Sequence, residues 1–325
     1  MFNAPKKKFQ VQIFVMSLIF VLFYMESASM SNNSIISRAA HFDIEAPFRF
    51  RFIVPYSLGL VMPDKMLDAR WLRITIALLS VVSILRITPL FVARLLGRAL
   101  SDGQSLAAQS CMWLLLIMHY CMPRELNVYY VYDLISILMY QIVFLSLTEK
   151  LKIQSSGIVL ALIASLNRET IIIAVLHAMV FCGCGEGAVK QRGAAILKLA
   201  MCAFAILFVR WVVSHFLSDS LISSVAPYEN GHLRFFANFE KIVHSKQHRL
   251  QILMIGAGIV FWLPFAISGY TVTIRRMHWV SIFVIVGLSV VGNLSELRMY
   301  NEFLPLWAAS LYFWLTDIDG RFKSL

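Results

Sequence analysis

Apolar runs follow one another along almost the whole of this 325-residue chain, at about 9–25, 72–93, 105–122, 131–148, 155–166, 171–184, 194–217, 251–272, 278–293 and 303–316. A helix that crosses a bilayer needs about 20 apolar residues. Backbone polar groups in lipid must be satisfied within the segment that carries them. The recurrence of such runs therefore predicts an all-α, polytopic integral membrane bundle of about nine or ten hydrophobic segments, a single transmembrane domain over 1–325. Composition closes off the soluble alternative. Hydrophobic residues make up 59% of the chain and charged residues 14%, and mean hydropathy is +0.73, against about 45–50% and about 25% in soluble domains. A water-soluble fold of this length has no interior large enough for that apolar surface. The first run follows Lys6, Lys7 and Lys8 and precedes Ser27-Ala28-Ser29, an order shared by signal peptides and uncleaved anchors. We read it as an anchor.

The runs at 155–166 and 171–184 flank Asn167-Arg168-Glu169-Thr170. Together they are too long for one span, so a hairpin of two short helices at 155–184 is expected. Charge agrees. With an inside N-terminus, the short inner connections hold Lys6–Lys8, Arg94, Arg98, Lys150, Lys152, Lys190, Arg192, Arg275, Arg276, Arg321 and Lys323, whereas the short outer ones hold Arg124, Arg168 and Arg298. This is the positive-inside pattern. It predicts cytoplasmic N- and C-termini and two long outer loops at 29–71 and 218–250. The net charge of +11 then reads as orientation and contact with anionic membrane lipid. No basic stripe or aromatic platform points to nucleic acid. The five cysteines lie in or beside apolar runs without metal spacing and read as small hydrophobes.

Several polar clusters stand out against this background. The first outer loop reads His41-Phe-Asp43-Ile-Glu45-Ala-Pro47-Phe-Arg49-Phe-Arg51. In an extended segment, residues two apart share a face. Asp43 and Glu45 thus form a carboxylate pair, one of which can serve as a general base. Arg49 and Arg51 form a pair suited to phosphate. Arg168 and Glu169 interrupt an apolar stretch, where charge is costly and faces a cavity or a partner. In Glu296-Leu-Arg298-Met-Tyr300-Asn-Glu302, helical spacing pairs Glu296 with Tyr300 and Arg298 with Glu302. Arg124, Glu125 and Asp133 with Tyr129, Tyr130 and Tyr132 read as an interfacial aromatic belt. The loop 218–250 is polar enough to cover a site, and its histidines are too irregularly spaced for a metal. The three leading clusters fall on the outer face, as one acid- and arginine-lined cavity would require.

Gly157 through Asn167-Arg168-Glu169-Thr170, followed by an apolar return and basic Lys190 and Arg192, resembles a recurrent stretch of the GT-C class of membrane glycosyltransferases. The Pro47-Phe-Arg49-Phe-Arg51 and Glu296-Leu-Arg298 stretches are similar to bacterial members. The resemblance implies a GT-C-like bundle in a bacterial inner membrane, where a sugar moves from a polyprenyl-phosphate donor to a glycan or lipid acceptor on the outer face. It places the essential acid at Asp43 or Glu45, with donor and substrate contacts from Arg49, Arg51, Arg168, Glu169, Glu296 and Arg298. The acids stand as Asp-x-Glu where the family has them adjacent, which leaves the base open between the two. No metal site or other cofactor is indicated. The alternatives are an outer-face polysaccharide polymerase and a transporter or flippase of lipid-linked sugar, for which Arg86, deep in a span, is the favouring residue.

Overall fold

The computed structural model describes residues 7–27, 35–41, 53–122, 131–149, 155–184, 189–217, 228–229, 232–246, 249–250, 262, 271–291 and 297–316. Among them regular structure is helical, apart from a two-residue ladder that pairs Tyr228 with Leu233 and Glu229 with His232. The long helices are α1 (Lys7–Ser27), α5 (Arg70–Leu96), α6 (Asp102–Tyr120), α7 (Val131–Thr148), α8 (Ser155–Asn167), α9 (Ile172–Cys184), α10 (Val189–Leu217), α12 (Val272–Val291) and α13 (Leu304–Thr316). Short helices α2 (Ile35–Ala40), α3 (Ile53–Gly59) and α4 (Asp64–Leu67) join α1 to α5, and α11 (Arg234–His244) follows α10. The helices coincide with nine of the ten apolar runs; the run at 251–272 lies almost wholly outside the described residues.

Local sequence explains the element ends. Gly97 closes α5 in the left-handed region at φ 67°, a conformation that carries no Cβ penalty in glycine. Four residues later, Ser101 and Gln104 form a reciprocal capping box that starts α6. Pro305 occupies the first turn of α13, where its missing N–H is not needed.

The solvent is written on the outside of the bundle. Along α10, Leu197, Met201, Phe204, Leu207, Phe208 and Trp211 are each 54–72% exposed. A stripe of that size in water would be an aggregation surface; in lipid it is ordinary. Among the described residues, three helical stretches, Phe9–Glu26, Arg70–Leu96 and Gln191–Val213, are long and apolar enough to cross a membrane. Helix α13 is enclosed, with every residue from Leu304 to Ser310 buried, as a helix surrounded by others must be.

Side-chain pairs fix the relative directions. Trp113 donates from Nε1 to the Met16 carbonyl at 2.7 Å, and Tyr24 meets Tyr120 with ring centroids 5.3 Å apart, so α1 and α6 run parallel. Gln141 donates to Thr88 at 2.9 Å and Phe91 packs on Phe144, so α5 and α7 also run parallel. Helix α8 returns against α7. A Cβ on Gly157 would lie 3.2 Å from Leu147 near the end of α7, while Arg168, just after α8, meets Asp133 near its start. Glycine permits that close approach. The chain then reverses once more, because Tyr140 pairs with His177 and Phe144 with Phe181, which sets α9 parallel to α7. Residues 155–184 are therefore a hairpin with its turn at Arg168.

That hairpin is short. Each arm has 13 residues, about 20 Å at 1.5 Å per residue, against about 30 Å of hydrocarbon. Its neighbour α10 is longer: Arg210 donates to the Ser165 carbonyl at 3.3 Å, and α10 continues to Leu217, about 10 Å further. The turn thus sits below the end of its longer neighbour.

Candidate functional site

Helix α8 ends at buried Asn167, and the chain passes through Arg168 into a 3-10 turn at Glu169–Ile171. This break turns the Arg168 side chain inward, where it is only 2% exposed. Its Nη1 lies 3.6 Å from Asp133 Oδ1 in the first turn of α7. Its Nε lies 3.6 Å from Oε1 of Glu302, a residue that is 0% exposed. Thr170 donates from Oγ1 to the same Glu302 oxygen at 2.5 Å. Next to Glu302, Asn301 accepts at Oδ1 from Tyr120 at 2.6 Å, and that oxygen lies 3.2 Å from His119 Nε2. Its amide donates to the Asp133 carbonyl at 3.5 Å. The end of α6, the start of α7, the hairpin turn and the segment before α13 thus converge on one buried polar cluster. Away from water its Coulomb attractions are strong, and leaving any member unmatched is correspondingly costly.

Glu302 reaches this place because Leu297–Phe303 is a 3-10 helix. With three residues per turn, positions i and i+3 align while i and i+4 diverge by about 120°. The α-helical spacing on which the expected Arg298–Glu302 pairing rests is therefore not the backbone geometry of this segment, and Glu302 meets Arg168. Asp133, assigned by its tyrosine neighbours to an interfacial belt, is 3% exposed and is the second acid of the cluster. Its signal in the sequence was a lone carboxylate entering an apolar span, the situation in which an intramembrane charge has a partner.

The other candidate residues are placed less directly. Asp43, Glu45, Arg49, Arg51 and Glu296 lie outside the described residues. Glu169 and Arg298 have described backbones, in the hairpin turn and the 3-10 helix, but their side chains are not described. The flanks of 42–52 are fixed. His41 Nε2 lies 2.9 Å from Asp64 Oδ1, and the Ser37 N–H meets Asp68 Oδ1 at 3.4 Å just before α5. Helix α3 packs on α2, α7 and α8. A Cβ on Gly59 would sit 2.9 Å from the Ala40 Cβ, so the α2–α3 crossing requires glycine. Arg86 is on the exposed side of α5, not in the interior. Among the described residues no three His, Cys, Asp or Glu side chains group as metal ligands would.

A second set of polar contacts lies deeper in the bundle. Tyr140 is 2.5 Å from His177 Nδ1, whose Nε2 is 3.1 Å from Ser281 Oγ, while His278 Nε2 is 2.7 Å from Ser310 Oγ. These groups join α7, α9, α12 and α13 and have partners within the fold, which is how buried polar side chains specify one packing arrangement.

No family model, curated protein or solved structure matches this chain.

Proposed function

We propose that this protein is a membrane glycosyltransferase that moves a sugar from a polyprenyl-phosphate donor to a glycan or lipid acceptor at the outer membrane face. The observation that carries the reading is the Arg168 hairpin. Two arms too short to cross a bilayer end in a charged turn, beside a helix that continues past it, and α3, at the far end of the first loop, packs near by on α7 and α8. Such an arrangement suits a recess with a polar floor and apolar walls, one that takes a charged headgroup above and a lipid tail between helices.

In this mechanism Asp43, or Glu45 in its stead, accepts the proton of the acceptor hydroxyl as the oxygen attacks the anomeric carbon. The bond from that carbon to the donor phosphate oxygen breaks, and the phosphate leaves with the electron pair. Arg49, Arg51 and Arg298 bind that phosphate and stabilise the charge that develops on it. Arg168 acts one layer below: its guanidinium is engaged by Asp133 and Glu302 and holds α7, the hairpin and the α13 entry in register beneath the reacting groups. Glu169 and Glu296 are assigned to substrate contact in the same reading.

The test is lipid extraction from a deletion strain complemented with wild-type protein or with Asp43→Asn. Loss of the protein should leave a lipid-linked sugar unconsumed, wild type should clear it, and Asp43→Asn should not, at unchanged protein level in the membrane. Activity retained in Asp43→Asn but lost in Glu45→Gln would move the base to Glu45. Activity retained in both single variants and in the double variant would end the carboxylate-base mechanism.

A further inference from the structure

We infer that α11 is an interfacial anchor, bound by its phenylalanine stripe to the acyl boundary of the bilayer and by its basic C-terminal flank to anionic phospholipid headgroups. Its amphipathicity is inverted relative to a helix on a water-facing surface. Asn238 is 2% exposed, and Lys241, Ile242 and Ser245 on the same side are partly covered. Phe236, Phe239 and Val243, at helical spacing of three and four, are 60%, 63% and 44% exposed. In water the arrangement would reverse, with phenylalanine inward and lysine outward, since burial of each large apolar side chain is worth about 1.5–3 kcal/mol. The stripe therefore has an apolar occupant outside the protein.

Two observations identify that occupant as lipid. Helix α11 packs on α12, whose outer stripe of Trp279, Phe283 and Val286 is also exposed, so the two surfaces can form one continuous lipid-facing belt. The C-terminal flank is basic: His244, Lys246 and Arg249 are exposed, with Glu240 the exposed acid of the helix. An apolar stripe flanked by cationic residues is the composition that lies in the headgroup region, attracted to anionic lipid. A second protein surface would match the stripe equally well but gives no reason for the cationic flank.

The experiment uses the full chain reconstituted into vesicles of phosphatidylcholine with phosphatidylglycerol. Cys121 and Cys184 are replaced by serine, and a nitroxide is attached at Phe239→Cys, Glu240→Cys or Phe204→Cys in turn. The last lies on the exposed face of α10 and reports lipid in correctly folded protein. Collision with oxygen relative to a water-soluble nickel chelate should be several-fold higher at 239 than at 240, and should approach the value at 204. Replacing Lys246 and Arg249 with glutamine should shift the 239 label toward the nickel reagent in these vesicles, while leaving it unchanged in phosphatidylcholine alone. A 239 label open to nickel like the 240 label would overturn the proposal, as would one shielded from both reagents, which signals a protein partner. An unchanged 239 reading after loss of both basic residues would overturn the anionic-lipid assignment.

Discussion

Arg168 is held by two carboxylates from different elements, at 3.6 Å each, and that arrangement makes its substitution lopsided. Removing one member of a buried ion pair leaves an uncompensated charge and costs about 3–5 kcal/mol, whereas replacing all members with neutral groups of similar shape is close to harmless. Arg168→Met should therefore lower the thermal unfolding temperature in detergent sharply. Adding Asp133→Asn and Glu302→Gln should recover most of the loss. Arg168→Lys should fall between, because it keeps the charge and loses the planar fork. Unfolding of Arg168→Met at the wild-type temperature would show that the cluster does not hold these elements together. Arg168 was legible in the sequence as a charge in an apolar setting, but its partners were not. Asp133 stands 35 residues before it and Glu302 134 residues after it, and no local period links positions so far apart. The 3-10 geometry of the segment that carries Glu302 likewise leaves no mark in the periodic pattern of residues.

At the scale of elements, the apolar period carried most of the information. The hairpin was legible because two short runs around a charged joint fit neither one span nor two full ones. The close approach of α2 and α3 was not legible, since it depends on Gly59 lying against Ala40. Gly59→Ala should force those helices apart and disturb the first loop they bracket, with a several-fold loss of transfer at normal membrane insertion. Ala40→Gly removes the clashing atom, so the double variant should recover activity; a double variant no better than Gly59→Ala would mean the crossing has no part in shaping the loop. The hairpin carries its own test. Reporter fusions after Lys152 and after Arg192 should report the same side of the membrane, since two helices intervene, and the positive-inside bias makes that side the cytoplasm. Opposite sides would require 155–184 to cross once, against the paired contacts of α8 and α9 with α7.

Over the whole molecule, the question is whether the charged groups serve chemistry at one end of the bundle or passage through its middle. A transferase concentrates its sensitive residues around the recess, and the interior below it needs only to pack. A transporter of lipid-linked sugar needs groups at mid-depth that change partners as the bundle opens. Among the described residues, titratable groups within the helices and apart from the Arg168 cluster include His177 and His278, joined to Tyr140, Ser281 and Ser310, and Arg86 on the exposed side of α5. Under the transferase reading, Arg86→Gln should leave product formation within about twofold of wild type, and His177→Gln, which can keep a hydrogen bond to Tyr140 or Ser281, should cost stability more than turnover. Arg298→Lys should lower donor affinity by about ten- to a hundredfold, the loss of one charge-assisted hydrogen bond at about 1.5–3 kcal/mol, and Arg298→Ala should lower it further. Transport predicts the opposite ranking, with His177 and Arg86 critical and the outer arginine tolerant. Glycolipid product measured for all four variants in matched membranes separates the two, because expression and insertion are common to both while the order of sensitivity is not. Wild-type transfer by both Arg298 variants, combined with failure of His177→Gln and Arg86→Gln at normal protein level, would replace the transferase with a carrier whose working groups lie inside the bundle.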